Sequence, residues 1–226
     1  MSDDAESAGK ADTADERPRS SATGRRWEFL VVVVLGLSAL ATAWSSYQAS
    51  LWDGIQSKNY TQASAARTNA AQQRTAGNQF RIADLTVFES YIDAVLTEND
   101  EVALFYRERF RDEFEKAFTA WLALDPLDDP AAPATPLAMP EYRLAADAEA
   151  QRLEERADAI FTAGETANRN SDTYTLTTLL FAAALFFAAI ADRFDFARTR
   201  IILLALAGLG LIVGVIIALT QPITVG

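Results

Sequence analysis

The sequence predicts an all-α membrane protein with three transmembrane helices and an extracytoplasmic domain built as a long-helix antiparallel bundle of coiled-coil-like character. Three observations predict it. Half of the 226 residues are apolar, and they are unevenly placed, with one long apolar block near the N-terminus and two near the C-terminus. Five of the seven prolines fall between Pro126 and Pro140, which leaves long stretches on either side free to be helix. The stretch leading back to the second block repeats small and apolar residues at alternating spacings of four and three.

Residues 1–26 begin as a tail of Ser, Ala, Asp and Glu without apolar period, and the tail is expected to be disordered and cytoplasmic. The spans are residues 27–46, 173–191 and 201–220. At about 1.5 Å per residue, each is long enough to cross a hydrocarbon layer of about 30 Å. Arg17, Arg19, Arg25 and Arg26 precede the first span, and Arg193, Arg198 and Arg200 lie in the loop 192–200. Both segments are therefore expected on the cytoplasmic side of the cell membrane, which leaves the tail 221–226 outside. The Ala41-Thr42-Ala43 triplet fits a signal-peptidase site, and Arg25-Arg26 fits a twin-arginine signal. Glu28 stands where such a signal needs an apolar residue, and the apolar block runs on into helix-forming sequence, so the segment reads as a retained anchor. No ionisable side chain lies deep in a span, which argues against ion-coupled transport. Ser38, Thr42 and Ser46 share one face of the first span, and Gly210, Gly214 and Ala218 share one face of the third. Close helix packing is the preferred explanation of both, and a pore lining the alternative.

Residues 47–172 form the expected helical extracytoplasmic domain, with the Pro-rich loop at 124–140. On the returning flank the seam is Ala146, Ala150, Leu153, Ala157, Ile160, Gly164, Ala167, Ser171 and Tyr174. On the outgoing flank Ala63, Ala66, Ala70 and Gly77 match it, and Leu85, Phe88, Ile92 and Val95 continue as an apolar stripe. A third helix is expected over 101–122, capped from Thr97-Glu98-Asn99-Asp100. Its row Tyr106, Phe110, Phe114, Phe118 and Trp121 is expected to pack on 85–95. The outgoing flank would reach about 78 Å and the returning one about 48 Å, so residues 79–123 either cap the helix pair or fold beside it.

The chemistry on offer is narrow. Histidine and cysteine are both absent, which removes imidazole and thiolate metal sites, thiol nucleophiles, His bases and disulfides. Residues 47–172 carry 12 basic and 22 acidic side chains, a surface that repels nucleic acid. Asp125, Asp128 and Asp129 lack the spacing and the glycine turn of a Ca²⁺ loop and read as turn residues. Arg107, Arg109 and Arg111 alternate with acids and read as a solvated face with Arg109–Glu113 and Asp112–Lys116 pairs rather than an anion site. Six glutamines between Gln48 and Gln79, with Asn59, Asn69 and Asn78, are divided between helix register and solvent. No catalytic, cofactor-binding or metal-ligating residue is assigned.

Two short motifs, Ala43-Trp44-Ser45-Ser46-Tyr47-Gln48-Ala49 and Pro136-Leu137-Ala138-Met139-Pro140-Glu141-Tyr142, resemble those of a group of uncharacterised prokaryotic membrane proteins. The Leu179-Leu180-Phe181 start of the second span adds to the likeness. The resemblance implies the same three-span layout and supplies no site residues. The function expected is a non-enzymatic scaffold or interaction protein. Its partners are the lipid bilayer and either a second copy or another membrane protein. An extracytoplasmic sensor subunit is the first alternative and an oligomeric channel the second.

Overall fold

A computed structural model describes residues 22–194 and 196–225. Five α-helices follow one another: α1 Ala22–Leu96, α2 Asp100–Arg107, α3 Asp112–Leu122, α4 Ala145–Ala191 and α5 Ala197–Thr220, with a 3-10 turn at Pro136–Ala138. Three of them (α1, α4 and α5) hold stretches long and apolar enough to cross a membrane. The expected disordered tail differs at its end, because α1 already begins at Ala22. Residues 1–21, the rest of that tail, lie outside the described residues. The expected 101–122 helix is two helices. Neither Pro nor Gly marks the break, and it serves to turn the Phe110 ring onto Tyr91, Phe114 and Phe118 at 5.7, 4.8 and 4.9 Å. Tertiary packing here overrides a sequence that is locally helical.

The chain divides into two compact units, one from the described residues up to Ala49 with Asp172–Ile223, the other from Ser50–Ser171 with the described residues from Thr224. In the first unit, α1 buries Val31, Ser38, Ser45 and Gln48, and α4 buries Tyr174, Thr177, Phe181, Ala184, Ala188 and Ala191. α5 meets α4 through its glycines. A Cβ built on Gly214 would stand 2.5 Å from the Phe181 ring, and one on Gly210 3.6 Å from Ala184 Cβ. Large apolar side chains such as Phe29, Leu40, Leu179, Phe186 and Leu219 face outward.

In the second unit, α1 and α4 run antiparallel and are joined at seven-residue intervals along α1. Asp53 accepts a hydrogen bond from Ser171 Oγ at 2.7 Å. Tyr60 stacks on Phe161 at 5.1 Å. Arg67 pairs with Asp158 at 3.1 Å, Arg74 with Glu154 and Arg81 with Asp147. The seam beneath is small. Ala63, Ala66, Ala70 and Gly77 are buried on α1, and Ala146, Ala150, Ala157, Gly164, Ala167 and Ser171 on α4. A Cβ on Gly164 would lie 2.6 Å from the Tyr60 ring, so the glycine is what lets the ring lie flat there. Ala157→Leu or Ala66→Leu is therefore expected to cost about 1–3 kcal/mol through overpacking, despite the added apolar area. Thermal melts of the whole protein in nanodiscs check it, and an unchanged or raised Tm would contradict close packing.

α1 ends in a Schellman turn. Glu98 takes φ 56°, Glu98 N–H bonds Val95 C=O at 3.1 Å and Asn99 N–H bonds Ala94 C=O at 2.9 Å. Asn99 then caps α2 by accepting from the Val102 N–H at 3.2 Å. Arg81 and Gly77 mark the level at which α4 starts, because both face Asp147 in its first turn. Beyond that level α1 packs on α3 instead. The stretch 79–123 thus caps the helix pair, with Phe88 against Phe114, Phe118 and Trp121.

Candidate functional site

The most organised polar site lies in the second unit, where α1, the start of α3, the Pro-rich segment and the start of α4 converge. Asp84 is only 4% exposed. Its Oδ2 accepts from Arg111 Nη1 at 2.9 Å and from Tyr142 OH at 2.8 Å. The same guanidinium donates to Glu113 and lies 4.0 Å over the Phe80 ring. Glu113 in turn accepts from the Ala145 N–H at 2.8 Å, satisfying one of the free donors at the N-terminus of α4. One chain of charge-assisted bonds therefore fixes three segments relative to α1. Both donors converge on one oxygen of Asp84, an arrangement suited to holding segments together.

Burial and the adjacent Asp84 carboxylate raise the Tyr142 phenol well above its ordinary value of 10.0. The unfolded chain then releases this proton at a lower pH than the folded one. Above pH 10 the unfolded state holds fewer protons, so stability falls as pH rises, whereas below it the contribution is fully present. Tyr142→Phe is expected to lower Tm at neutral pH and to make the decline between about pH 9 and pH 11 shallower. Melts across that range check it, and an unchanged slope in the variant would remove Tyr142 as the cause.

The second motif of the sequence supplies much of this site. Leu137, Met139 and Tyr142 pack against the aromatic cluster of Phe88, Phe114, Phe118 and Trp121. The Trp121 indole donates to the Pro133 carbonyl at 2.6 Å, which ties the Pro-rich segment to α3. The indole bond gives that segment a packing role. Beneath it lies a cavity of about 330 Å³ lined by Phe88, Ile92, Trp121, Leu127, Asp129 and Pro130 among others.

The other residues singled out by sequence are placed as follows. Asp125 takes φ 47°, and its carbonyl accepts from Asp128 and Asp129 N–H groups at 2.9 Å. Asp129 Oδ1 accepts from the Ala131 N–H, so these acids build a turn. Among the described residues no three acidic side chains gather as a metal site. The Arg row is divided. Arg107 pairs with Glu115 at 3.5 Å, Arg109 donates to the Phe105 carbonyl and covers its ring, and Arg111 turns inward. Glu113 belongs to Arg111, which corrects the expected pairing with Arg109. In the first unit Ser38 is buried, Thr42 donates to the Ser38 carbonyl at 2.7 Å, and Ser46 is exposed while Ser45 is buried in its place. Gln48 is buried, Gln56 and Gln73 are half-buried, and Gln62, Gln72 and Gln79 are exposed.

Sequence reasoning missed Asp84. The signal was its spacing, since Ala63, Ala70, Gly77 and Asp84 stand seven apart, which places a carboxylate on the buried seam. Compared with known proteins, the chain matches no family model, no curated protein and no solved structure.

Proposed function

We propose that the chain is a multi-pass membrane protein of the cell membrane whose helical domain, residues 47–172, stands outside the cytoplasm and works as a non-enzymatic scaffold that binds a second copy or a partner membrane protein. The carrying observation is the helix pair of the second unit, joined at Asp53, Tyr60, Arg67, Arg74 and Arg81. A long rigid pair with its polar groups engaged in holding its own segments suits presentation of a surface. The outward apolar side chains of the first unit support a lipid surround. The absence of histidine and cysteine supports a role without catalysis.

The test is mass measurement of the full chain in nanodiscs, with co-purification from the native membrane. A defined assembly or a stoichiometric partner is expected. A monomer at every concentration that brings down nothing would overturn the reading. Orientation is tested on the same chain, which has no cysteine of its own. An impermeant maleimide added to intact cells is expected to label Asn78→Cys and spare Thr199→Cys.

The cavity beneath the Pro-rich segment favours a second reading, a sensor subunit that signals through a partner. A specific small molecule that raises the Tm of the protein would support it, and Trp121→Ala should abolish that shift.

A further inference from the structure

We propose that the face of α1 around Ala65, Asn69 and Gln72 is where two copies of this chain meet, side by side and in the same direction. This rests on the scaffold reading above and names its surface. The observation is how charge is distributed in the second unit. Between Asp53 and Asp84, α1 carries no carboxylate at all, so the 22 acids of residues 47–172 all lie elsewhere. Of the four cations in this stretch, Arg67, Arg74 and Arg81 reach carboxylates of α4 along one flank of the pair. The opposite flank is different. It is an open groove of about 290 Å³ lined by Gln62, Ala65, Asn69, Leu153, Arg156 and Ile160 among others.

The two flanks of one helix pair are therefore built unlike each other. One is closed by ion pairs and the Tyr60–Phe161 stack. The other leaves Leu153 and Ile160, seven residues apart, half-covered beside exposed amides and Ala65. A solvated helix face is ordinarily rich in charge, and depletion of charge is the mark of an interface centre. Electrostatics selects the occupant. A domain so acidic repels its own copy wherever carboxylates face one another, as on α4 where Glu155 and Glu165 are exposed. The α1 face is the stretch through which two such domains approach without that repulsion. Copies anchored in one membrane leave it in the same direction, so a two-fold axis along the membrane normal sets position 65 against 65 and 72 against 72. The pair of helices in each copy then completes a four-helix arrangement, and the groove supplies its buried centre.

The absence of cysteine makes the test direct. Ala65→Cys and Gln72→Cys, each the only thiol in the full chain, are oxidised in nanodiscs or native membrane beside Glu155→Cys and Thr162→Cys on the outer side of α4. Disulfide-linked dimer is expected at 65 and 72 and only background at 155 and 162. The double change Ala65→Glu with Gln72→Glu is expected to weaken dimerisation at least about tenfold, with helical circular dichroism unchanged. If the mass of the untreated protein is that of a dimer while 65 and 72 do not cross-link above 155 and 162, this surface is wrong and self-association stands. A strict monomer overturns both. Loss of helicity in the double variant shifts the decision to the cross-linking pattern, which needs no charge change.

Discussion

Phe118→Ala is expected to destabilise the second unit by about 3–5 kcal/mol, near the upper end for removal of a core aromatic. Phe118 has no exposed surface and stands at the centre of the cluster. Its ring lies 5.1 Å from Tyr91 and 4.9 Å from Phe110, both edge to face, and about 6 Å from Trp121. These pairs add to the loss of buried area, and neighbours held at both ends of α3 leave the void little room to collapse. The effect should spread outward, because Trp121 anchors the Pro-rich segment through Pro133. Thermal melts of the full chain are expected to split, with a low transition for the cluster ahead of the long helices. Leu122→Ala, one residue beyond Trp121 and exposed, is the control. Equal shifts for the two variants would show that the cluster does not hold this end together. Pro133→Ala should cost far less, since the carbonyl that receives the indole remains and only the stiffness of the segment is reduced.

The features that the sequence made legible are those with a period. The seam on α4 was visible because Ala146, Ala150, Leu153, Ala157, Ile160, Gly164, Ala167 and Ser171 recur at three- and four-residue steps in helix uninterrupted by proline; Leu153 and Ile160 are half-buried and the other six are buried. The partner of the aromatic row was visible for the same reason, as Phe88 lies among Phe114, Phe118 and Trp121. The three apolar helices follow from length and composition alone. Less legible were features decided by distant residues. Arg107, Arg109 and Arg111 look equivalent along the chain, and only the break after Arg107 turns Arg111 towards Asp84. That break has no local mark, because its cause is Phe110 seeking Tyr91, some twenty residues away. Asp84 was readable by register and was overlooked because a carboxylate on a seam runs against the rule that buried positions are apolar. Here the buried carboxylate fixes the start of α3 through Arg111 and, through Tyr142, the approach to α4.

Arg111→Ala is expected to cost about 2–4 kcal/mol, somewhat below the range for breaking a fully buried pair because the guanidinium is partly open to water. The substitution leaves the Asp84 carboxylate buried with the Tyr142 hydroxyl as its remaining donor. It also frees Glu113, whose other oxygen caps the Ala145 N–H, so the first turn of α4 loses part of its support. Arg111→Lys keeps the charge but presents a single ammonium in place of a planar fork, and cannot reach Asp84 and Glu113 in the same geometry; about half the loss is expected to remain. The informative comparison is the double variant. Where a buried pair gives specificity more than stability, Asp84→Leu with Arg111→Met should melt well above either single variant, since no charge is then left unpaired and Tyr142 is half-buried and can turn its hydroxyl to water. Urea or thermal melts of the four proteins form a double-mutant cycle, with an interaction energy of about 1–3 kcal/mol expected between the two sites. Additive losses, or single substitutions within about 0.5 kcal/mol of the parent, would mean that Asp84 and Arg111 lie near each other without holding these segments in place.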